Sequence, residues 1–289
     1  MVAQEYMNTL EAKRSTSMSY VGILNRYWLP KFERSPVSSI STSAIKSVLA
    51  AVPVSSKTKR NILIPLRGVL AYAEVNPNPA DGVRLKRQQR TPIDRYLPAE
   101  RDALLNRLEG QNRAYFALLF ATGLRPGEAL GLEWADYDGE QLSITKQITR
   151  RRKESTTKTS VRRTVFVPTW CRSYLADLPS RFAGQQMFVN TSGAPYLDTD
   201  VFNVAWQKAH ARARIPYRIP YTCRHTRAAE LLSSGIDPAD AAGQLGHSVE
   251  MFLRTYSEWM AEWAGKKDNS RFDTDRKPTQ SELKNGGIE

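Results

Sequence analysis

Six side chains between positions 125 and 256 have the types needed to move a phosphoryl group from one oxygen to another: Arg125, Lys158, Tyr221, Arg224, His247 and Tyr256. They sit in four stretches, ATGLRPGEAL (121–130), TTKTSVRRTVFVP (156–168), IPYTCRHTRAAELL (219–232) and GQLGHSVEMFLRTYSEW (243–259). A phosphodiester under attack gathers extra negative charge on its non-bridging oxygens, and two guanidiniums can hold that charge bidentately. Arg125 and Arg224 suit this role. A tyrosine hydroxyl ionises near pH ~10 and attacks more readily inside a cationic site. A positioned lysine such as Lys158 can protonate the departing 5′ oxygen. His247 can hydrogen-bond the phosphate or assist proton transfer. A 3′-phosphotyrosine keeps the energy of the broken bond, so rejoining needs no ATP, metal or other cofactor.

Each stretch alone is ambiguous. An Arg before Pro-Gly is more often a cap or a surface residue. The hairpin expected around Lys158 holds eight Lys or Arg and one Glu over residues 146–163. That charge fits a ribbon entering a DNA groove, and also an edge guarded against aggregation. Residues 226–256, with Gly235 and Gly246 between short helices, read equally as a helix-turn-helix. The combination with Arg125 and Lys158 far upstream favours chemistry. Two of the three histidines in the chain lie in the last two stretches.

The whole chain is basic, with 42 Lys and Arg against 29 Asp and Glu in 289 residues, net +13 and pI near 9.8. Such a surplus favours a polyanion, though ribosomal proteins, polybasic membrane binders and nucleases share it. Residues 1–88 carry 13 Lys and Arg against 5 Asp and Glu, more than half of the excess. Cys171 and Cys223 cannot build a disulfide framework, and no Cys/His spacing suggests zinc. The N-terminus has no signal-peptide core, and no apolar run reaches the ~18 residues that span a bilayer. A soluble cytoplasmic protein, without a membrane partner, is expected.

The elements that must position these residues follow from periodicity. Helices are expected over Val2–Lys13, through Tyr20–Trp28, over Ala44–Ala51 capped by Thr42 or Ser43, and over Lys57–Val75 with a kink or late start at Pro65. A basic linker (89–95) follows a helical domain (1–88). The second domain (96–265) is expected to hold helices over Glu100–Leu108, Asn112–Ala121, Pro126–Leu132, Asp198–Arg214, Thr226–Ser234, Pro238–Leu245 and Val249–Ala264. Strands over 141–148 and 161–168 complete it. Phe202 and Trp206 share an apolar face with Val201, Ala205 and Ala209. Residues 266–289 read as a disordered tail. The fold class is therefore mainly α with a small antiparallel β-sheet.

With TGLRPGE, RHT and LGH-x8-Tyr in place, the chain resembles the tyrosine recombinases, in particular the lambda-type integrases of phages and prophages, over nearly its whole length. The resemblance implies a helical SAM-like core-binding domain and an α/β catalytic domain, together clamping duplex DNA. It implies that Arg125 and Arg224 hold the phosphate, Lys158 is the general acid, His247 contacts the phosphate and Tyr256 is the nucleophile. Glu128 is implied to support the arginines. Cleavage and rejoining at attachment sites on duplex DNA, in a tetramer of copies, would integrate or excise a mobile element at the host nucleoid. A DNA-bending host factor and an excisionase are further partners it allows. Phosphate-backbone contacts are expected from Lys57, Lys59, Arg60, Arg84, Lys86, Arg87, Arg150, Arg151, Arg152 and Lys153.

There are two departures. Tyr221 stands where the family usually has His, and a phenol is a poor base near neutral pH. His225, next to Arg224, is expected on the opposite side of its helix in a structural role, and Cys223 in the core. The arm-site-binding domain that often precedes the core-binding helices is not expected in this chain. Two other functions fit the constellation, a type IB topoisomerase-like nicking–closing enzyme and a DNA-binding regulator without catalysis. The segment after Tyr256, with Trp259 and Trp263, packs either on a neighbouring subunit or on its own.

Overall fold

The structure is a computed structural model that describes residues 2–12, 14–86, 92–149, 152–154 and 162–260. The chain divides into two compact units, Met1–Pro92 and Ile93–Glu289.

In the first unit α1 spans Val2–Thr9, shorter than the predicted Val2–Lys13, and α2 spans Arg14–Ile23. A π-turn, Leu24–Trp28, leads from α2 into α3 (Leu29–Phe32). Trp28 is buried, stacks on Phe32 with ring centroids 6.1 Å apart, and donates its indole N–H to the Ile62 carbonyl at 2.9 Å. Ser41, not Thr42 or Ser43, caps α4 (Thr42–Ala50) by accepting the Ala44 N–H at 3.2 Å. Thr42 is occupied elsewhere, its hydroxyl donating to the Pro79 carbonyl at 2.8 Å. Ser55 caps α5 (Ser56–Tyr72) in the same manner. Pro65 does not delay α5. An interior proline costs a helix roughly 3 kcal/mol, and here Ile62, Leu63, Pro65, Leu66, Val69 and Leu70 are all buried on the core, which offsets it.

The second unit begins at Ile93, which packs beside the cluster formed by the last three helices, while Asp94 pairs with Arg218 at 2.6 Å. Helices α6 (Pro98–Leu105), α7 (Gly110–Thr122) and α8 (Pro126–Leu130) follow. Every residue from Ala114 to Thr122 is buried, so α7 runs through the core rather than along a surface. The predicted pair of long strands is four short ones: β1 (Gln141–Ile144), β2 (Gln147–Thr149), β3 (Arg152–Glu154) and β4 (Arg163–Phe166). β1 pairs antiparallel with β4, Gln141 opposite Phe166, and β2 pairs separately with β3, Gln147 opposite Glu154. The break falls at Lys146, whose ammonium is bound by Glu133 and Asp136 instead of continuing an exposed strand face.

Helices α9 (Thr169–Ala176) and α10 (Ser180–Ala183) are not announced by the sequence pattern, and α9 buries Cys171 and Leu175 against the core. A 3₁₀ turn, Thr199–Phe202, precedes α11 (Asn203–Ala213). Its tighter winding carries Val201 off the predicted apolar face and into solvent, while Phe202, Trp206 and Ala209 stay buried. Stacks of Trp206 on Phe116 (4.0 Å) and Phe202 on Tyr115 (3.9 Å) lock α11 to α7. Helices α12 (Thr222–Ser233), α13 (Pro238–Leu245) and α14 (Val249–Thr255) form a further cluster around Leu232, Leu245, Phe252 and Tyr256. The predicted last helix stops early, at Thr255, before a 3₁₀ turn, Ser257–Trp259. Trp263 and the tail 266–289 lie outside the described residues. Among the described residues no helix is long and apolar enough to cross a membrane.

Candidate active site

The site forms where α13 ends. The last carbonyls of a helix have no partner within it and carry its negative pole. Here three guanidiniums supply the partners. Arg163 Nε donates to the Gln244 carbonyl at 3.1 Å, Arg224 Nη2 to the Leu245 carbonyl, and Arg125 Nη2 more loosely to the Gly246 carbonyl at 3.4 Å. Gly246 closes α13 in the left-handed conformation (φ 67°), and a Cβ there would lie 2.9 Å from the Arg163 guanidinium. Glycine is required twice over.

Three neighbouring cations need more than carbonyl dipoles. Glu128, fully buried on α8, accepts from Arg125 Nη1 at 2.7 Å and from Arg163 Nη2 at 2.6 Å and Nη1 at 3.2 Å. Its second oxygen also takes the Arg125 backbone N–H at 3.0 Å, fixing the start of α8. Burial pushes the Glu128 carboxyl up, but the hydrogen bonds and charge of Arg163, with the charge of Arg125, outweigh it and hold the group below the usual carboxylate range.

Arg224 is fully buried, one turn into α12. Nη1 donates to the Gly123 carbonyl at 2.7 Å, and Nη2 approaches His247 Nε2 at 2.7 Å. Gly123 ends α7 at φ 67°, and a Cβ there would sit 2.3 Å from Leu245 Cδ2. Burial and the neighbouring Arg125 lower the Arg224 pKa to about 10. A guanidinium can only donate, so His247 Nε2 accepts and Nδ1 carries the ring proton. Burial, then Arg224, Arg125 and Arg163, push the His247 pKa down to about 3, keeping the ring neutral. Among the described residues, Arg224 Nε and His247 Nδ1 are the two buried side-chain polar atoms with no hydrogen-bond partner. Both are donors, on two side chains in contact with each other, in a cationic recess.

Ser248 caps α14, and its two turns deliver Tyr256 to the end of the helix. The Tyr256 ring is almost wholly buried, stacked on Trp259 (5.2 Å, 16°) and packed against Phe252. Burial raises its pKa despite the opposing pull of Arg224 and Arg125. Its hydroxyl lies 3.1 Å from His225 Nδ1. This corrects the sequence expectation for His225. Tyr221 and His225 are four residues apart at the start of α12 and share a face, their rings in edge contact at 5.2 Å. The i, i+4 spacing with Tyr221 is the sequence signal that carries the pairing. Arg163 was missed too. Alternation along β4 turns Arg163 inward with buried Val165 and leaves Arg162 exposed, the signal that distinguishes the two.

Arg125, Glu128, Tyr221, Arg224, His247 and Tyr256 therefore converge. Lys158 lies outside the described residues, as do Arg87, Arg150 and Arg151, and Arg152 and Lys153 are described only as backbone of β3. What leads toward Lys158 is placed: a Cβ on Gly127 would lie 2.4 Å from the Ile148 carbonyl, so α8 and β2 touch backbone to backbone. In the first unit Lys57, Arg84 and Lys86 are exposed, and Lys59 and Arg60 half-buried. Arg60 donates to the Leu85 and Lys86 carbonyls at 3.3 and 2.7 Å, holding that basic segment against α5. His210, the third histidine, is a core residue bonded to Tyr96 and the Trp206 carbonyl. Cys223 is buried, as expected.

Residues 96–262 match the model of the phage integrase family. The chain belongs to that family. It is a tyrosine recombinase, mainly helical with a small antiparallel sheet. The prophage integrase IntR of Escherichia coli K12 is 25% identical over 237 residues, a match covering 71% of this chain and 58% of IntR. A XerC-like tyrosine recombinase of Caldanaerobacter subterraneus subsp. tengcongensis is 27% identical over 288 residues, covering 83% of this chain and 72% of the relative. Among solved structures, the Tn1549 transposon integrase in complex with transposon right end DNA shares the recombinase's fold with a TM-score of 0.76 at 19% identity, over 93% of this chain and 98% of that one. A lambda integrase dimer bound to a COC′ core site shares it with a TM-score of 0.72 at 17% identity, over 92% and 96%.

Proposed function

We propose that this recombinase cuts and rejoins duplex DNA at specific attachment sites through a 3′-phosphotyrosine on Tyr256, integrating or excising a mobile element. The observation that carries this reading is the pair of buried donors without a hydrogen-bond partner, Arg224 Nε and His247 Nδ1, with the His247 ring 6.1 Å from that of Tyr256. Three guanidiniums against one carboxylate leave the recess with an excess of positive charge for a scissile phosphate. Arg125 and Arg224 hold its non-bridging oxygens, His247 donates to it, and the charge that gathers during attack is stabilised by groups already in place. Tyr221, at the mouth of α12, donates a hydrogen bond to the phosphate. Lys158 protonates the leaving 5′ oxygen.

The basic segment around Lys57, Lys59, Arg60, Arg84 and Lys86 contacts phosphates along the duplex, as do Arg87 and the hairpin residues Arg150, Arg151, Arg152 and Lys153. A helical core-binding domain (1–88), a linker (89–95), a catalytic domain (96–265) and a tail (266–289) is the organisation this requires. The reaction takes place at the bacterial nucleoid, in a tetramer joining two sites, with a DNA-bending host factor and an excisionase setting its direction.

The test uses a duplex carrying the direct repeat that flanks the gene, nicked so that the cleaved end diffuses away. Wild type is expected to accumulate a covalent protein–DNA adduct, and Tyr256→Phe none. An undiminished adduct in the variant overturns the reading. Supercoil relaxation independent of the repeat would return the nicking–closing alternative.

A further inference from the structure

Tyr256 must lose a proton to attack, and the groups around its hydroxyl differ sharply in their ability to take one. Arg224 has no lone pair to offer. Tyr221 is a phenol like Tyr256 itself. His247 uses Nε2 to accept from Arg224 and holds its proton on Nδ1. His225 remains, with Nδ1 at 3.1 Å from the Tyr256 oxygen, the one hydrogen bond of that hydroxyl among the described residues. Helix geometry fixes the placement. His225 stands on the face of α12 that also carries Tyr221, whose ring edge braces the imidazole at 5.2 Å.

We propose that His225 is the catalytic base of this recombinase, taking the Tyr256 proton on Nδ1 while Nε2 carries the ring's own hydrogen. The inference rests on Tyr256 as nucleophile. As the tyrosine oxygen forms its bond to phosphorus, its proton passes to His225 and the bond from phosphorus to the 5′ oxygen breaks, that oxygen taking a proton from the general acid. On rejoining, the 5′ hydroxyl attacks phosphorus and gives its proton back to the general acid, while Tyr256 leaves and takes its proton back from His225.

The charged and titratable groups facing His225 are Tyr221 and Arg224 on its own helix, His247 from the turn before α14, and Tyr256 at the end of α14. Burial and then Arg224 bring its pKa down to about 4, so the ring is neutral at physiological pH and free to accept. Negative charge gathering on the phosphate beside Arg224 strengthens the base as the proton moves.

The chain has three histidines, so two-bond ¹⁵N–¹H correlation spectra of the intact protein distinguish them readily. The expected spectrum at pH 7 places the His225 proton on Nε2, and Tyr256→Phe shifts the His225 Nδ1 resonance. A proton on Nδ1 overturns the proposal, because the ring would then donate to Tyr256. The second arm measures single-turnover adduct formation on the nicked repeat duplex. H225N keeps a polar atom near Nδ1 but has no basic nitrogen. It should slow adduct formation by about 100-fold or more with duplex affinity within threefold of wild type. A 5′-bridging phosphorothiolate duplex, whose leaving group needs no proton, should leave that defect in place. A wild-type rate in H225N, or a defect erased by the thiolate, overturns the proposal. An adduct from wild type that Tyr256→Phe abolishes keeps the nucleophile reading intact whichever way His225 falls. Should H225N not fold, the tautomer decides alone.

Discussion

Glu128 takes four hydrogen bonds from two arginines and α13 ends on three guanidiniums, whereas the described hydrogen bonding of the Tyr256 side chain is a single contact to His225 inside a nest of rings. The phosphate half of the site is thus fixed by directional, mutually dependent charges. The nucleophile half is fixed mainly by apolar packing, which is less directional. The division suits the two tasks. Stabilising a pentacoordinate phosphorus rewards groups that need no rearrangement, whereas a nucleophile must attack, leave and attack again. The same contrast tells where substitutions should hurt stability and where they should hurt chemistry.

The largest effect is expected on the phosphate half. Glu128→Gln preserves shape but leaves Arg125 and Arg163 without their countercharge in a buried place, and removing one member of a buried ion pair costs about 3 kcal/mol or more. Urea titration of the purified chain measures it. Because Glu128's folded pKa lies below its ordinary 4.5, its contribution is complete above that pH and is lost as pH falls through the folded value. Wild type should therefore lose stability on acidification more steeply than Glu128→Gln. A variant within 1 kcal/mol of wild type would mean that the helix-end carbonyls carry the arginines without the carboxylate.

Gly246→Ala comes next, at about 2 kcal/mol. It combines a left-handed backbone unfavourable to any Cβ with an approach of 2.9 Å to the Arg163 guanidinium. A melting curve showing no loss would say that Arg163 yields easily and that the arginine half is softer than its hydrogen bonds imply.

Much of this contrast was legible before any coordinates. Arg125, Arg224, His247 and Tyr256 announce themselves because phosphoryl chemistry restricts residue type, and Glu128 follows from the family resemblance. The existence of most helices follows from apolar spacing. What was not legible depended on local winding. A 3₁₀ turn moved Val201 out of the core, and the tie between Lys146 and its two carboxylates split one expected strand pair into two. His225 was misplaced for a related reason. Its partner on the same helix face is Tyr221, four residues earlier, and not the adjacent Arg224.

A smaller effect separates the two histidines from ordinary ones. The pKa of His247 is pushed down to about 3 and that of His225 to about 4, both below the ordinary 6.5. The unfolded chain then binds more protons than the folded one below about pH 6.5. Stability is therefore complete above that pH and falls as pH drops toward the folded values. One fully shifted group gives at most ~1.4 kcal/mol per pH unit, and roughly half of that once partial exposure is allowed for. His247→Asn should flatten the slope of melting temperature between pH 6.5 and 5. An unchanged slope would place His247 in a wetter and more forgiving position than its contact with Arg224 indicates.

The smallest change tests the tyrosine half. Trp259 lies nearly parallel to Tyr256, and Arg95 sits 5.3 Å over its ring. Trp259→Phe keeps an aromatic face for Tyr256 and gives up some area and the better partner for a cation, together about 0.5–1 kcal/mol. If packing holds Tyr256, one ring should substitute for another. Adduct formation on the nicked duplex should then stay within about threefold of wild type, since a shift near 0.6 kcal/mol in the barrier is worth roughly that factor. A loss of a hundredfold would mean that the tryptophan sets the angle of attack as strictly as the arginines set the phosphate. The tyrosine would then be held as rigidly as its target, and the freedom needed to leave and attack again would have to come from the motion of α14 as a whole.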